Sequence, residues 1–150
     1  MKKTLALLLP GVLAVLLLCA CGGGKASYRD GTYTAQSSVF VADDGEEESG
    51  NGYGVVTVTV KDNAVTDCVF AMYMEDGTLK DESYGKKNGE ITNEGFYRMA
   101  QGAVAAGQSY AEMLRQSGSL DGVDAISGAT ISYGQFTEAV ELALEQAREG

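Results

Sequence analysis

Val55-Val-Thr-Val-Thr-Val60-Lys-Asp-Asn-Ala-Val65-Thr-Asp-Cys-Val-Phe70-Ala-Met-Tyr-Met74 decides the fold. From Val55 to Val60 every residue is Val or Thr, side chains that suit a pleated, half-buried surface. Lys61-Asp-Asn63 turns the chain, and Val65 to Met74 returns with Cys68, Phe70, Met72 and Met74 at alternate positions on one face. These features predict an antiparallel pair. Cys68 on that face reads as a small core residue, with a redox thiol the minor alternative.

Upstream, Asp30-Gly31 makes a turn, and Thr32 to Val41, rich in Thr, Tyr, Val and Phe, predicts a first strand. Between the strands, Asp43-Asp-Gly-Glu-Glu-Glu-Ser-Gly-Asn-Gly52 is an acidic, glycine-rich loop. It lacks the alternating ligand spacing of an EF-hand, so a solvated hairpin tip is favoured over a calcium site. Gly50-x-Gly52-x-Gly54 is no dinucleotide loop, because it precedes a strand where that fingerprint must follow one.

Downstream, Glu75-Asp-Gly77 closes the pair. Thr78 to Ile91 has no clear period, and it is expected to fold over the site. Asn93 is placed to cap a helix in which Phe96, Met99, Ala100, Ala103, Ala106, Tyr110, Met113 and Leu114 recur at spacings of three and four. Gly95, Gly102 and Gly107 each cost about 1 kcal/mol against alanine there, which suggests close approach by another element or a ligand. Ser117-Gly-Ser119 ends the helix.

The chain then runs through Asp121-Gly-Val-Asp-Ala-Ile-Ser-Gly-Ala-Thr-Ile-Ser-Tyr-Gly-Gln135. Ser132 followed by Gln135 predicts a capping box, with Phe136, Ala139, Val140, Ala143, Leu144 and Ala147 at helical spacing beyond it. The second helix is therefore expected to begin just after Thr130. Ser127, Gly128 and Ala129 carry little bulk, which lets a ligand or another protein approach the backbone. A helix N-terminus supplies free N–H groups and partial positive charge, and so favours a phosphate.

Asp124-Ala-Ile-Ser127-Gly128-Ala129-Thr130 resembles the Asp-x-x-(Ser/Thr)-Gly-Ala-Thr pattern of the FMN-binding domain family, which includes the flavin-carrying subunits of Nqr-type and Rnf-type oxidoreductases and many small bacterial lipoproteins. The likeness extends loosely from Asp30 to Ala147. In that family the last threonine is esterified to the phosphate of FMN by an FAD:protein FMN transferase, which by position implies Thr130. Ser127, Gly128, Ala129 and Asp124 would complete the cofactor-binding loop. A carboxylate would repel a phosphate touching it. Asp124 is therefore expected to accept loop N–H bonds or, as the resemblance suggests, to help the transferase and its metal engage the loop. The flavin ring needs apolar or aromatic contact. Tyr84, Phe96, Tyr97, Met99 and Tyr133 are the candidates, and Tyr133 is the first choice by proximity to Thr130.

Lys2 and Lys3 precede an apolar run from Leu5 to Leu18 that ends at Leu18-Cys-Ala20-Cys21, the pattern of a lipoprotein signal peptide over residues 1–20. Pro10 and Gly11 interrupt the run, and it is shorter than the roughly 20 residues of a membrane span. Cys21 is the expected lipidation site, residues 21–27 a lipid-anchored tether, and 28–150 a single domain. Location on the extracytoplasmic face of a bacterial membrane follows from this reading. The net charge is −10, and −12 without the leader. Such a surface repels nucleic acid and anionic head groups, so no nucleic-acid partner is expected and the anchor must supply membrane attachment.

The chain has no histidine. Histidine-dependent triads and histidine metal sites are excluded, and with Cys21 acylated the single remaining Cys68 cannot build a zinc or iron–sulfur site. Catalytic residues of its own are not expected, and covalent FMN would supply the missing chemistry. The expected fold is α+β, an antiparallel sheet with two helices packed on one face and the attachment loop at the start of the C-terminal helix. The expected role is a membrane-anchored electron carrier between a membrane partner such as a quinone reductase and an external acceptor, and not a stand-alone enzyme. The alternatives are a surface-binding, antigen-like lipoprotein without flavin and, less favoured, non-covalent FMN binding.

Overall fold

The computed structural model describes residues 26–43 and 50–148. The expected signal peptide, Cys21 and most of the acidic run between Asp43 and Gly50 lie outside the described residues. Three strands, β1 (Gly31–Gln36), β2 (Tyr53–Lys61) and β3 (Ala64–Tyr73), form an antiparallel sheet in the order β1-β2-β3. The β2–β3 pair is the hairpin foreseen in the sequence. Asp62 and Asn63 both have positive φ, 50° and 64°, as a two-residue type I′ turn requires.

Alternation sets the two faces of the sheet. Val56, Val58 and Val60 are buried and meet Ala35, Tyr33 and Gly31 across β1. On the other side Phe70 lies opposite Val56, and Cys68 opposite Val58. A bulge at Thr59/Val60 gives β3 one extra residue. Val65 and Cys68, three apart, therefore both point inward. The outer face carries hydroxyl pairs, Thr32 with Thr59 at 3.2 Å and Thr34 with Thr57 at 2.9 Å.

Two helices cover the inner face. Helix α1 (Glu94–Ser117) packs on β3, and α2 (Thr130–Ala147) packs on β2 and β1. Asn93 caps α1 as expected, its Oδ1 accepting from Phe96 N–H at 3.0 Å, and Gly118 closes the helix at φ 75°. Tyr110, Leu114, Phe136, Ala139, Val140 and Ala143 are fully buried and form the centre of the core with the β2 valines. The alanines of α2 let its backbone lie close to the sheet.

Three expectations are corrected. Strand β1 ends at Gln36, not Val41, because the Ser37 hydroxyl accepts from Gly54 N–H at 3.0 Å and interrupts the regular ladder, which resumes only as a bridge between Phe40 and Gly52 and leaves Val39 and Val41 exposed. Of the three α1 glycines, only Gly107 answers a close approach: a Cβ there would crowd Met72 and Phe70, whereas at Gly102 it would meet nothing. Ser132 is not a cap. It is buried in the first turn of α2, whose N-cap is Ala129. Gln135 turns inward, and its Nε2 donates to the carbonyls of Gly52 at 2.9 Å and Gly50 at 3.4 Å. Local cap chemistry lost to the stripe of core positions on which both residues lie.

Candidate functional site

The loop from Val123 to Ala129 is placed by two tyrosines. Tyr110, fully buried on α1, accepts from Ile126 N–H at 3.0 Å and donates to the carbonyl of Ala129 at 3.2 Å. Tyr133, one turn into α2, donates to Val123 O at 3.2 Å and sets its ring edge-on to Tyr110, with centroids 5.4 Å apart. Between these braces Ala129 N–H donates to Ile126 O at 3.1 Å, closing a turn with Gly128 at φ 80°. A type II turn needs positive φ at that third position, which glycine adopts without strain.

The turn delivers Thr130 as the first residue of α2, with its side chain exposed. Ser127, Gly128 and Asp124 are also exposed, and Ala129 is buried. No side chain caps the helix, so the N–H groups of its first turn are available to an acceptor. Asp124 does not fill the bonding role expected of it. Two N–H groups of the loop go elsewhere: Ile126 to the Tyr110 hydroxyl and Ala129 to the Ile126 carbonyl.

Two depressions flank Thr130. A small one of 80 Å³ is walled by Met99 and Ala103 of α1, Gly50, and residues 128–132. A shallower one of 320 Å³ lies on the other side, among Ser38, Phe40, Ile131, Gly134, Gln135 and Glu138. Met99, on the apolar stripe of α1, is 44% exposed beside the threonine. A larger cavity, of 590 Å³, does not touch Thr130. Its lining includes Asn51, Leu79, Tyr84, Lys86, Asn93 and Phe96. The segment Thr78–Ile91 therefore walls this neighbouring cavity and does not fold over the threonine. Gly50 belongs to the threonine depression and Asn51 to the large cavity, so one peptide unit separates them.

Of the expected ring contacts, Phe96 and Tyr84 line the large cavity, Met99 lines the small depression, and Tyr133 is occupied in bracing the loop. Tyr97 donates from its hydroxyl to Glu82 O at 3.3 Å, with Lys86 Nζ over its ring.

Sequence reasoning missed three residues that shape the site. Tyr110 was visible only as one more apolar position. Gln135 looked like a cap, although its place on the Phe136–Ala139–Ala143 stripe marked it as inward-facing. Lys80 sat in a stretch without periodicity, yet it is 5% exposed, with Nζ 3.4 Å from the carbonyl of Gly50 and 4.9 Å from the centre of the Tyr84 ring. Burial lowers its pKa to about 8. Burial also pushes the Cys68 thiol up to about 12, which leaves it protonated and unreactive.

The model of the FMN-binding domain family matches residues 50–145, a span that includes Gly50, Lys80, Tyr110, the loop and most of α2. In three dimensions the chain is similar to the crystal structure of the CPE2226 protein from Clostridium perfringens, with a TM-score of 0.56 and 20% sequence identity. The similarity covers 80% of this chain and 88% of that one, and at such identity it speaks to fold alone. No curated protein matches the chain.

Proposed function

The chain belongs to the FMN-binding domain family, and on that premise we propose that FMN is held covalently through a phosphoester to Thr130. The observation that carries this reading is the position of Thr130: an exposed hydroxyl at the first residue of an uncapped helix, behind a turn that only glycine adopts without strain. The residues present fit the group. The N–H groups of the first turn of α2 suit phosphate oxygens, and Ser127 and Gly128 leave the approach to Thr130 open. Met99, Ala103 and Ile131 offer apolar surface beside it.

Attachment is a group transfer. The oxygen of Thr130 forms the new bond to the flavin-side phosphorus of FAD, the pyrophosphate bond breaks, AMP departs, and the threonine proton is released. An FAD:protein FMN transferase is the partner this requires, and exposed Asp124 is placed at the start of the loop to meet it. Once bound, the flavin supplies transfer of one or two electrons. The protein's own residues hold and shield it: Tyr110 and Tyr133 fix the loop, and Gln135 ties the Gly50–Gly52 backbone to α2.

The lipobox ending at Cys21 supports a membrane-anchored, extracytoplasmic carrier that relays electrons between a membrane partner such as a quinone reductase and an external acceptor. Covalent attachment suits that location, because a cofactor lost outside the cell is not recaptured. The test is intact mass, with flavin fluorescence on a denaturing gel, of residues 28–150 co-expressed with an FMN transferase. One FMN moiety is expected on the wild type and none on Thr130→Ala. An unmodified wild type, with the transferase active on another substrate, refutes the attachment.

A further inference from the structure

We infer that the ammonium group of Lys80 is the buried counter-charge of the flavin site and sets the potential of the bound cofactor, an inference that rests on the reading of Thr130 as the attachment point. Lys80 is 5% exposed, and none of the ion pairs among the described residues includes it. Its Nζ has one long hydrogen bond, to Gly50 O at 3.4 Å, and lies 4.9 Å from the Tyr84 ring centre. Those two contacts locate the charge. Gly50 is a wall of the depression at Thr130, and Tyr84 is a wall of the large cavity next to it. The ammonium therefore stands behind the partition between the two spaces open to a ring anchored at Thr130.

A buried amine without a carboxylate partner is costly, and among the described residues no ion pair relieves this one. Phe70 and Met72 of β3 and Gln101 and Gln108 of α1 line a cavity with Lys80, and Gln135 of α2 shares the Gly50 carbonyl with it. Asp81 and Glu82, its chain neighbours, line the same cavity. Asp81 accepts from the N–H and hydroxyl of Ser83 at 2.7 and 2.6 Å, and Glu82 is exposed. The Lys80 charge thus has no ion-pair partner among the described residues, and its contact with Gly50 sets it behind the wall of the site where negative charge would develop.

Adding two electrons and one proton to an isoalloxazine leaves it one negative charge richer. A fixed ammonium at its flank favours that state in a medium that screens little. The electrons come from the membrane reductase of the proposed function in the cell, and from dithionite in the assay.

The experiment uses residues 28–150 co-expressed with the transferase as wild type, Lys80→Met and Lys80→Gln. Intact mass is taken first, and all three are expected to carry one FMN. Titration with dithionite against a reference dye then reads the potential. Both variants are expected to hold at least tenfold more oxidised flavin at a fixed poise, a fall of about 30 mV for a two-electron couple. Equal potentials in all three proteins overturn the inference. So does a fall in Lys80→Met that Lys80→Gln restores, because glutamine keeps a donor for Gly50 O without the charge, and Lys80 is then only a strut. A wild type lacking the adduct refutes attachment separately. The same titration with FMN added to the apo domain then decides the role of Lys80, and if FMN does not bind at all, both readings fall.

Discussion

Replacing Tyr110 with Phe removes one oxygen from the fully buried centre of the domain and leaves every ring contact in place. The Tyr110 ring sits 5.4 Å from Tyr133 and 5.7 Å from Phe136, and phenylalanine keeps both. What disappears is the bridge between Ile126 N–H and the carbonyl of Ala129. The carbonyl retains a partner, since Tyr133 N–H donates to it at 2.9 Å within α2. Ile126 N–H retains none. An orphaned donor of this kind costs about 1–3 kcal/mol, and because Ile126 is only half-buried, about 1–2 kcal/mol is expected. Urea denaturation should show a lower midpoint with an unchanged slope. Hydrogen exchange should show the Ile126 amide losing protection by roughly 5- to 30-fold, the factor equivalent to that energy. Flavin incorporation should slow, because the loop carrying Thr130 loses one of its two braces. A variant as stable as wild type, with Ile126 exchange unchanged, would show that the hydroxyl does not hold the loop.

Gly128→Ala meets no neighbour within 4 Å, so its cost is the left-handed backbone alone. About 1–2 kcal/mol should be lost in a urea titration, and adduct formation should fall with it. Lys80 predicts an alkaline gain in stability. Its folded pKa of about 8 lies below the 10.5 of the exposed amine, so the unfolded chain binds more protons between those values and stability rises with pH across that window. At 1.36 kcal/mol per pH unit the gain is on the order of 3 kcal/mol. Lys80→Met should be more stable than wild type at pH 7 by up to that amount and should abolish the rise, which paired urea titrations at pH 7 and 10.5 would detect; equal curves would refute it. Cys68, with its thiol near 12, should resist iodoacetamide at pH 8 until denaturant unfolds the chain, as mass spectrometry would report.

The hairpin was legible because two local signals agreed: alternation along Val55–Val60, and a two-residue Asp-Asn turn. The bulge at Thr59/Val60 was not, since it depends on which two β3 residues the core selects as inward, Val65 and Cys68. Helix α1 announced both of its ends through Asn93 and Gly118. The start of α2 was placed correctly from a capping box that does not exist, because Ser132 and Gln135 satisfy the local pattern while serving the tertiary one. At the site, the exposed and small residues from Ser127 to Thr130 were visible in the chain, as local turn chemistry usually is. The groups that hold them were hidden for a common reason: the hydroxyls of Tyr110 and Tyr133 and the amine of Lys80 act on backbone atoms 10 to 30 residues away, and no periodicity encodes such contacts.

The seam between the two ends of the described chain sets a distance. Tyr28 bridges to Arg148, and Arg29 N–H donates to the carbonyl of Ala147 at 2.8 Å. The point where the chain departs toward Cys21 is therefore fastened to the far end of α2, the end opposite Thr130. Eighteen residues of helix measure about 27 Å, and seven residues from Cys21 to Ser27, fully drawn out, reach at most about 24 Å. A lipid at Cys21 and a flavin at Thr130 would sit at opposite poles, up to roughly 50 Å apart when the molecule stands upright. With both groups in place and the molecule upright, the flavin would stand at the pole away from the bilayer, suited to acceptors there; exchange at the lipid surface would require the molecule to topple or a membrane partner to rise to meet it.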